Sequence, residues 1–173
     1  YRGPSAFSEP ETRAQRDKIV ALAPRTALSF HTYSDLVLFP WGYVSSPAPA
    51  ASAFQEWSDE LTRESGYQSG QGPRVLYSVN GEFCDWAYGD SLAKPRTFAW
   101  TAEVGSDNDG FWPAPSRIVP LAEENLHMCV AVTALAGPWV REDGVQIAEG
   151  ALNAGYGANL SVRARNLGAS GTA

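Results

Sequence analysis

Two short segments of this chain carry the same two-sided alternation, and few folds accept both. In Ala27-Leu28-Ser29-Phe30-His31 the bulky Leu28 and Phe30 fall on one side, and Ala27, Ser29 and His31 on the other. In Thr97 to Val104, Phe98, Trp100 and Ala102 face one way and Ala99, Thr101 and Glu103 the other. A period of two marks a strand. A sheet built from such strands has one side for tight packing and one where small side chains leave room, with a single ionisable group near each strand end. A lone histidine there is more often a hydrogen-bonded structural residue, and a carboxylate is often simply solvated. The repetition argues otherwise, because sites in open α/β sheets collect beyond the carboxyl ends of strands.

Helical patterns separate these strands. Ser8 and Glu11 have the form of a capping box, Pro10 suits an early helical position, and Ile19, Leu22 and Ala23 follow at helical spacing until Pro24. Leu36 to Tyr43 is apolar but broken by Pro40 and Gly42, which predicts an irregular extension in place of a central strand. Phe54, Trp57 and Leu61 recur on a helix closing at Gly66, with Asp59 and Arg63 as an i, i+4 pair. Tyr67 to Arg74 reads as loop. A short helix spans Phe83 to Tyr88, and a long helix, apolar nearly all round, runs from Pro120 to Ala136 before Gly137-Pro138 stops it. Alternating strands and helices indicate an α/β domain over residues 1–139. Beyond Val140 the texture changes to short exposed strands, Gly144 to Ile147 and Asn159 to Arg165. We read residues 140–173 as the beginning of a truncated all-β module.

Charge and composition exclude several functions. Thirteen Lys and Arg against nineteen Asp and Glu leave a net charge of -6 with no basic run, so nucleic acid has no electrostatic footprint. No uncharged apolar stretch reaches about 18 residues, which excludes a spanning helix, the longest candidate being Met128 to Val140. The two cysteines, Cys84 and Cys129, do not resemble a disulfide scaffold; they could form one disulfide or stay buried and reduced, and the reduced reading is preferred. There is no HExxH, paired CxxC, GxSxG elbow or dinucleotide loop. His127 and Cys129 point to different sides of their helix, and His127 reads as a packing or surface residue. A self-contained zinc site, which needs three protein ligands, is not available.

Several separate segments together resemble one known family. His31-Thr32-Tyr33-Ser34, continuing through Leu38-Phe39-Pro40-Trp41-Gly42-Tyr43, resembles the His-Ser-Tyr-Ser segment and its Tyr-Pro-Tyr-Gly continuation in zinc metallocarboxypeptidases of the A and T type. Leu76-Tyr77, Gly81, Asp85-Trp86-Ala87-Tyr88-Gly89, Phe98 to Glu103 and the helix after Pro120 follow in that family's order. So does the opening Tyr1-Arg2-Gly3-Pro4 to Glu11, and the resemblance spans Tyr1 to Ala136.

The resemblance implies a mixed sheet with helices on both faces and assigns roles by position. His31 would be a ligand to a single Zn2+, Glu103 the general base beside it, and Tyr77 a mobile tyrosine closing over the peptide. Tyr33 would also contact substrate. Zinc lowers the pKa of its bound water and polarises the scissile carbonyl while the carboxylate moves the proton. Leu38, Gly42, Val79, Cys84 and Thr101 would line the pocket for the terminal side chain, which favours apolar residues, whereas Glu82 opens mixed specificity toward Lys and Arg.

The family's remaining zinc ligands and its carboxylate-binding arginine and asparagine have no counterpart here. The expectation is therefore the second half of a catalytic domain, inactive and weak in zinc binding by itself, with an open sheet edge and apolar face prone to aggregation. Completed, it would be a secreted monomeric peptidase acting on peptide C-termini. A silent peptide-binding relative and a cell-wall peptide amidase of related fold are the alternatives.

Overall fold

The computed structural model describes residues 3–147 and 160–169. Its centre is a mixed sheet in the order β1-β4-β2-β3, with β1 at Thr26–His31, β2 at Leu36–Phe39, β3 at Gln68–Gln71 and β4 at Phe98–Glu103. β1 runs parallel to β4, β4 antiparallel to β2, and β2 parallel to β3. The bulky residues of both alternating strands turn to one face, as their pattern requires. There Leu28, Phe98 and Trp100 meet Phe54, Trp57 and Leu61 of helix α2 (Ala51–Leu61) and Met128, Ala131 and Leu135 of a later helix. Phe54 sits edge-on to Trp100 and Phe98, with ring centroids 5.3 and 5.4 Å apart. Such aromatic contacts add to the area they bury.

The small-residue face is covered differently. Helix α4 (Phe83–Gly89) lies on it, and Cys84 and Ala87 pack against Ala99 with Ala27 at the margin. Helix α1 (Pro10–Leu22) buries none of its residues, and Leu22 remains 62% exposed. The segment before it touches α4 where Phe7 meets Trp86 edge-on at 5.1 Å.

Several expectations need correction. Leu36–Phe39 is a fully buried interior strand, because Pro40 falls just past its end and both its edges are paired. Within Tyr67 to Arg74, expected as loop, Gln68–Gln71 pairs with β2 and Gly72–Val75 makes a helical turn, α3. Here partner strands override weak local propensity. No side-chain cap forms at α1: Glu9 occupies the cap position and Ser8 Oγ donates to Glu9 Oε1. Arg63 pairs with Glu60 and Glu64, while Asp59 accepts from Gln55.

The single long helix is two, α5 (Ile118–Glu124) and α6 (Leu126–Leu135), after a 3-10 turn at Pro115–Arg117. Asn125 stands at the break, its Nδ2 donating to Leu121 O and to Tyr67 Oη. The run is not packed all round, since Leu126 and Val130 are exposed. Pro115–Leu135 does have the length and apolar composition of a membrane span, contrary to the exclusion drawn from sequence. It carries Glu123 and Glu124 beside the break, and Met128, Ala131 and Leu135 belong to the core.

After Pro138, β5 (Val140–Ile147) and β6 (Leu160–Asn166) form an antiparallel hairpin. It is tied to α2 by Trp57 Nε1 donating to Leu167 O at 2.7 Å and by Arg141 paired with Glu60 at 2.6 Å. His127 joins the same knot, 3.0 Å from Glu60 O. Tyr1, Arg2 and Asn159, used in the sequence reading, lie outside the described residues.

Candidate active site

Parallel pairing of β1 with β4 sets the site. The register aligns Ser29 with Thr101 and His31 with Glu103, so the two ionisable groups end adjacent strands on the same face. His31 Nδ1 lies 4.0 Å from Glu103 Oε1. The imidazole is open to solvent at 54% exposure and the carboxylate recessed at 14%. Burial pushes the Glu103 carboxyl above its usual range, and His31 partly offsets this. The Glu103 carboxylate is thus recessed beside an exposed imidazole.

Next to this pair, side chains from four segments of chain meet. Leu38 of β2 stands opposite Thr101 in the antiparallel register, and both are buried. Cys84 Sγ is 3.2 Å from Thr101 Oγ1. Thr101 Oγ1 also donates to Glu82 Oε1 at 3.2 Å. Glu82 extends over Gly42, where a Cβ would collide with its carboxylate and come within 3.1 Å of Val79. Glycine at 42 is therefore what lets the Glu82 carboxylate lie over it. Tight burial also raises the Cys84 thiol well beyond its usual value, so it stays protonated.

All the expected pocket residues, Leu38, Gly42, Val79, Glu82, Cys84 and Thr101, thus converge. Tyr77 follows α3 and is 62% exposed on the loop leading to Val79. Tyr33 lies beyond β1, its ring edge-on to Phe111 at 5.0 Å, with no described contact to these residues. Asp85, not singled out from sequence as a site residue, belongs to the same structure. Its two oxygens accept from Gly42 N–H at 2.9 and 3.1 Å, fixing the glycine beneath Glu82. The signal was its position three residues from Glu82 at the start of α4.

The donor set tests the fit of a zinc ion. Among the described residues no group of three or more His, Cys, Asp or Glu side chains converges as a metal cluster. His31 offers one imidazole, which a catalytic zinc with three protein ligands would need to supplement. These residues alone do not make the complete site.

A family model described as zinc carboxypeptidase matches residues 1–128. Zinc carboxypeptidase A 1 of Anopheles gambiae is 32% identical over 143 residues, covering 76% of this chain and 32% of the relative. Carboxypeptidase B of Astacus astacus is 33% identical over 139 residues, covering 72% and 43% respectively. Bovine thrombin-activatable fibrinolysis inhibitor, solved with a tick carboxypeptidase inhibitor, has the same fold with a TM-score of 0.69 at 24% identity, covering 78% of this chain and 47% of that one. The chain thus spans less than half the length of these relatives.

Proposed function

Because the chain belongs to the zinc carboxypeptidase family, we propose that it is part of a metallocarboxypeptidase that hydrolyses the C-terminal bond of peptides. The observation that carries this reading is the adjacency of His31 and Glu103 at the ends of two parallel strands. His31 serves as one zinc ligand, and the others come from polypeptide outside the described residues. Glu103 accepts the proton of the attacking water and returns it to the leaving amine. Leu38, Val79, Cys84 and Thr101 receive the terminal side chain over Gly42, and Tyr77 closes on the peptide from its exposed loop. The lining supports apolar C-terminal residues, and Glu82 extends the range to basic ones. The hairpin of β5 and β6 belongs to a β-rich module, and the enzyme is secreted, as the resemblance implies.

In the active enzyme containing this chain, Glu103→Gln is expected to lower kcat about 10²- to 10⁴-fold, the usual contribution of a positioned acid–base group, with KM little changed. Steady-state kinetics on blocked dipeptides check this. Full retention of kcat would overturn the reading.

A further inference from the structure

We infer that Asp85 is a positioning residue for the terminal side chain of the substrate: its carboxylate fixes Gly42, and Gly42 in turn fixes Val79, so that one acid on α4 sets two of the residues that receive that side chain. This rests on the carboxypeptidase reading and adds to it a residue that itself touches no substrate.

Asp85 stands in the first turn of α4, where an acid ordinarily serves its own helix, by accepting from a free N–H or by facing the positive end of the helix dipole. No side-chain cap forms in α4. The carboxylate is instead turned across to the segment after β2, where both oxygens accept from Gly42 N–H, at 2.9 and 3.1 Å, and Tyr43 N–H is a further donor.

The other side of the same glycine is also engaged. Gly42 O accepts from Val79 N–H at 2.9 Å. The donor of Gly42 is thus held by α4 and its acceptor by the loop that carries Tyr77. The approach is close at the level of the backbone: a Cβ at Gly42 would come within 3.1 Å of Val79, and one at Gly72 would lie 3.8 Å from Gly42 Cα and 3.4 Å from Tyr77 O. Leu76 N–H donates to Gly72 O at 2.8 Å and secures the near end of the loop. The bond from Val79 secures the far end, and Asp85 holds the residue on which that bond closes.

A hydrogen bond to an ionised acceptor is of the stronger kind, and Asp85 is half-buried, which limits competition from water. Without the carboxylate the Gly42 and Tyr43 N–H groups lose their acceptor, and a glycine has wide freedom to reorient. Val79 would move with it. Leu38 and Thr101 would stay, because β2 and β4 are held by their own ladder, and so would His31 and Glu103 on β1 and β4. The loss is therefore confined to the contact with the terminal side chain and spares the reacting pair.

The test compares Asp85→Ala and Asp85→Asn in the active enzyme containing this chain, on blocked dipeptides ending in Phe and in Gly. Hydrogen exchange over residues 40–43 is read by mass spectrometry in the same proteins. Asp85→Ala is expected to raise KM for the Phe peptide about tenfold, to leave kcat and the Gly-peptide KM within about twofold, and to speed the exchange. Asp85→Asn keeps one acceptor oxygen and should raise the Phe-peptide KM only about threefold. An equal rise in KM for both peptides, an unchanged Phe-peptide KM in Asp85→Ala, or an Asp85→Asn no better than Asp85→Ala would each overturn the proposal. Should Asp85→Ala not fold, Asp85→Asn decides alone: a rise in KM confined to the Phe peptide, with faster exchange, supports the proposal, and its absence overturns it. If the parent enzyme cleaves neither peptide, the carboxypeptidase reading falls, and exchange over 40–43, faster or unchanged in Asp85→Asn, still decides whether Asp85 anchors Gly42.

Discussion

A single carboxyl shows how local surroundings become a measurable property. Glu82 is held in a hollow where its charged form is disfavoured, so the folded state keeps the proton more strongly than the unfolded chain does. Between the ordinary carboxylate value and about 7 the native state binds more protons, and stability falls as pH rises through that window. Below the window nothing is lost. The variant Glu82→Gln is therefore expected to match the parent near pH 4 and to exceed it by on the order of 2 kcal/mol near pH 8. The difference between paired urea unfolding curves isolates this group from the others that titrate. Lys94 is the opposite case, a buried ammonium that the fold requires. Its Nζ donates to the carbonyls of Ala87, Asp90 and Pro95 and lies over the Trp86 ring at 5.0 Å. Lys94→Met would strand these acceptors and should cost about 1–3 kcal/mol in urea unfolding, the usual penalty for buried groups left unpaired.

Among elements, the hairpin of β5 and β6 depends most on a few contacts. Its strands are exposed on both faces, and an isolated two-stranded ribbon is marginal in water. Its attachment consists of the Trp57 indole bond to Leu167 O, the Arg141–Glu60 and Arg165–Glu56 pairs, and Ala169 N–H donating to Leu135 O at 2.7 Å. Trp57→Phe keeps most of the apolar contact and removes the indole donor. Hydrogen exchange over 140–147 and 160–166 should then accelerate severalfold while the amides of β1 and β4 are unaffected, because local opening need not involve the sheet. Equal acceleration in both regions would mean that the hairpin and the sheet open together.

At the scale of the molecule, one side of the sheet is uncovered. β1 bonds only to β4 among the described residues, and Phe30, Leu126 and Val130 beside it are 50 to 62% exposed. Phe30 and Leu126, with Val104, Leu121 and Cys129, border an open hollow of about 540 Å³. Asn125, itself buried, also lines it. Apolar surface next to a free strand edge favours self-association. The polypeptide of residues 1–173 should therefore sediment as oligomers at micromolar concentration. The double variant Leu126→Lys, Val130→Lys should shift it toward monomer with unchanged circular dichroism.

The alternating segments at 27–31 and 97–104 were legible from sequence because side-chain direction in a strand follows from local geometry alone. The helices carrying Phe54, Trp57 and Leu61, and Phe83 to Gly89, were legible for the same reason. The sequence also placed His31 and Glu103 on faces with room beside them. It could not show that those faces are one face, since that depends on β1 and β4 pairing in parallel with His31 beside Glu103, a register set across 72 positions of chain. For the same reason the strand at Leu36–Phe39 is not legible locally: whether an apolar run is an interior strand depends on which strands flank it. The position of Glu82 over Gly42, held by Asp85 and Thr101, likewise exists only after three distant segments have packed. Periodicity is written into neighbouring residues, whereas register and charge environment arise only when distant ones meet.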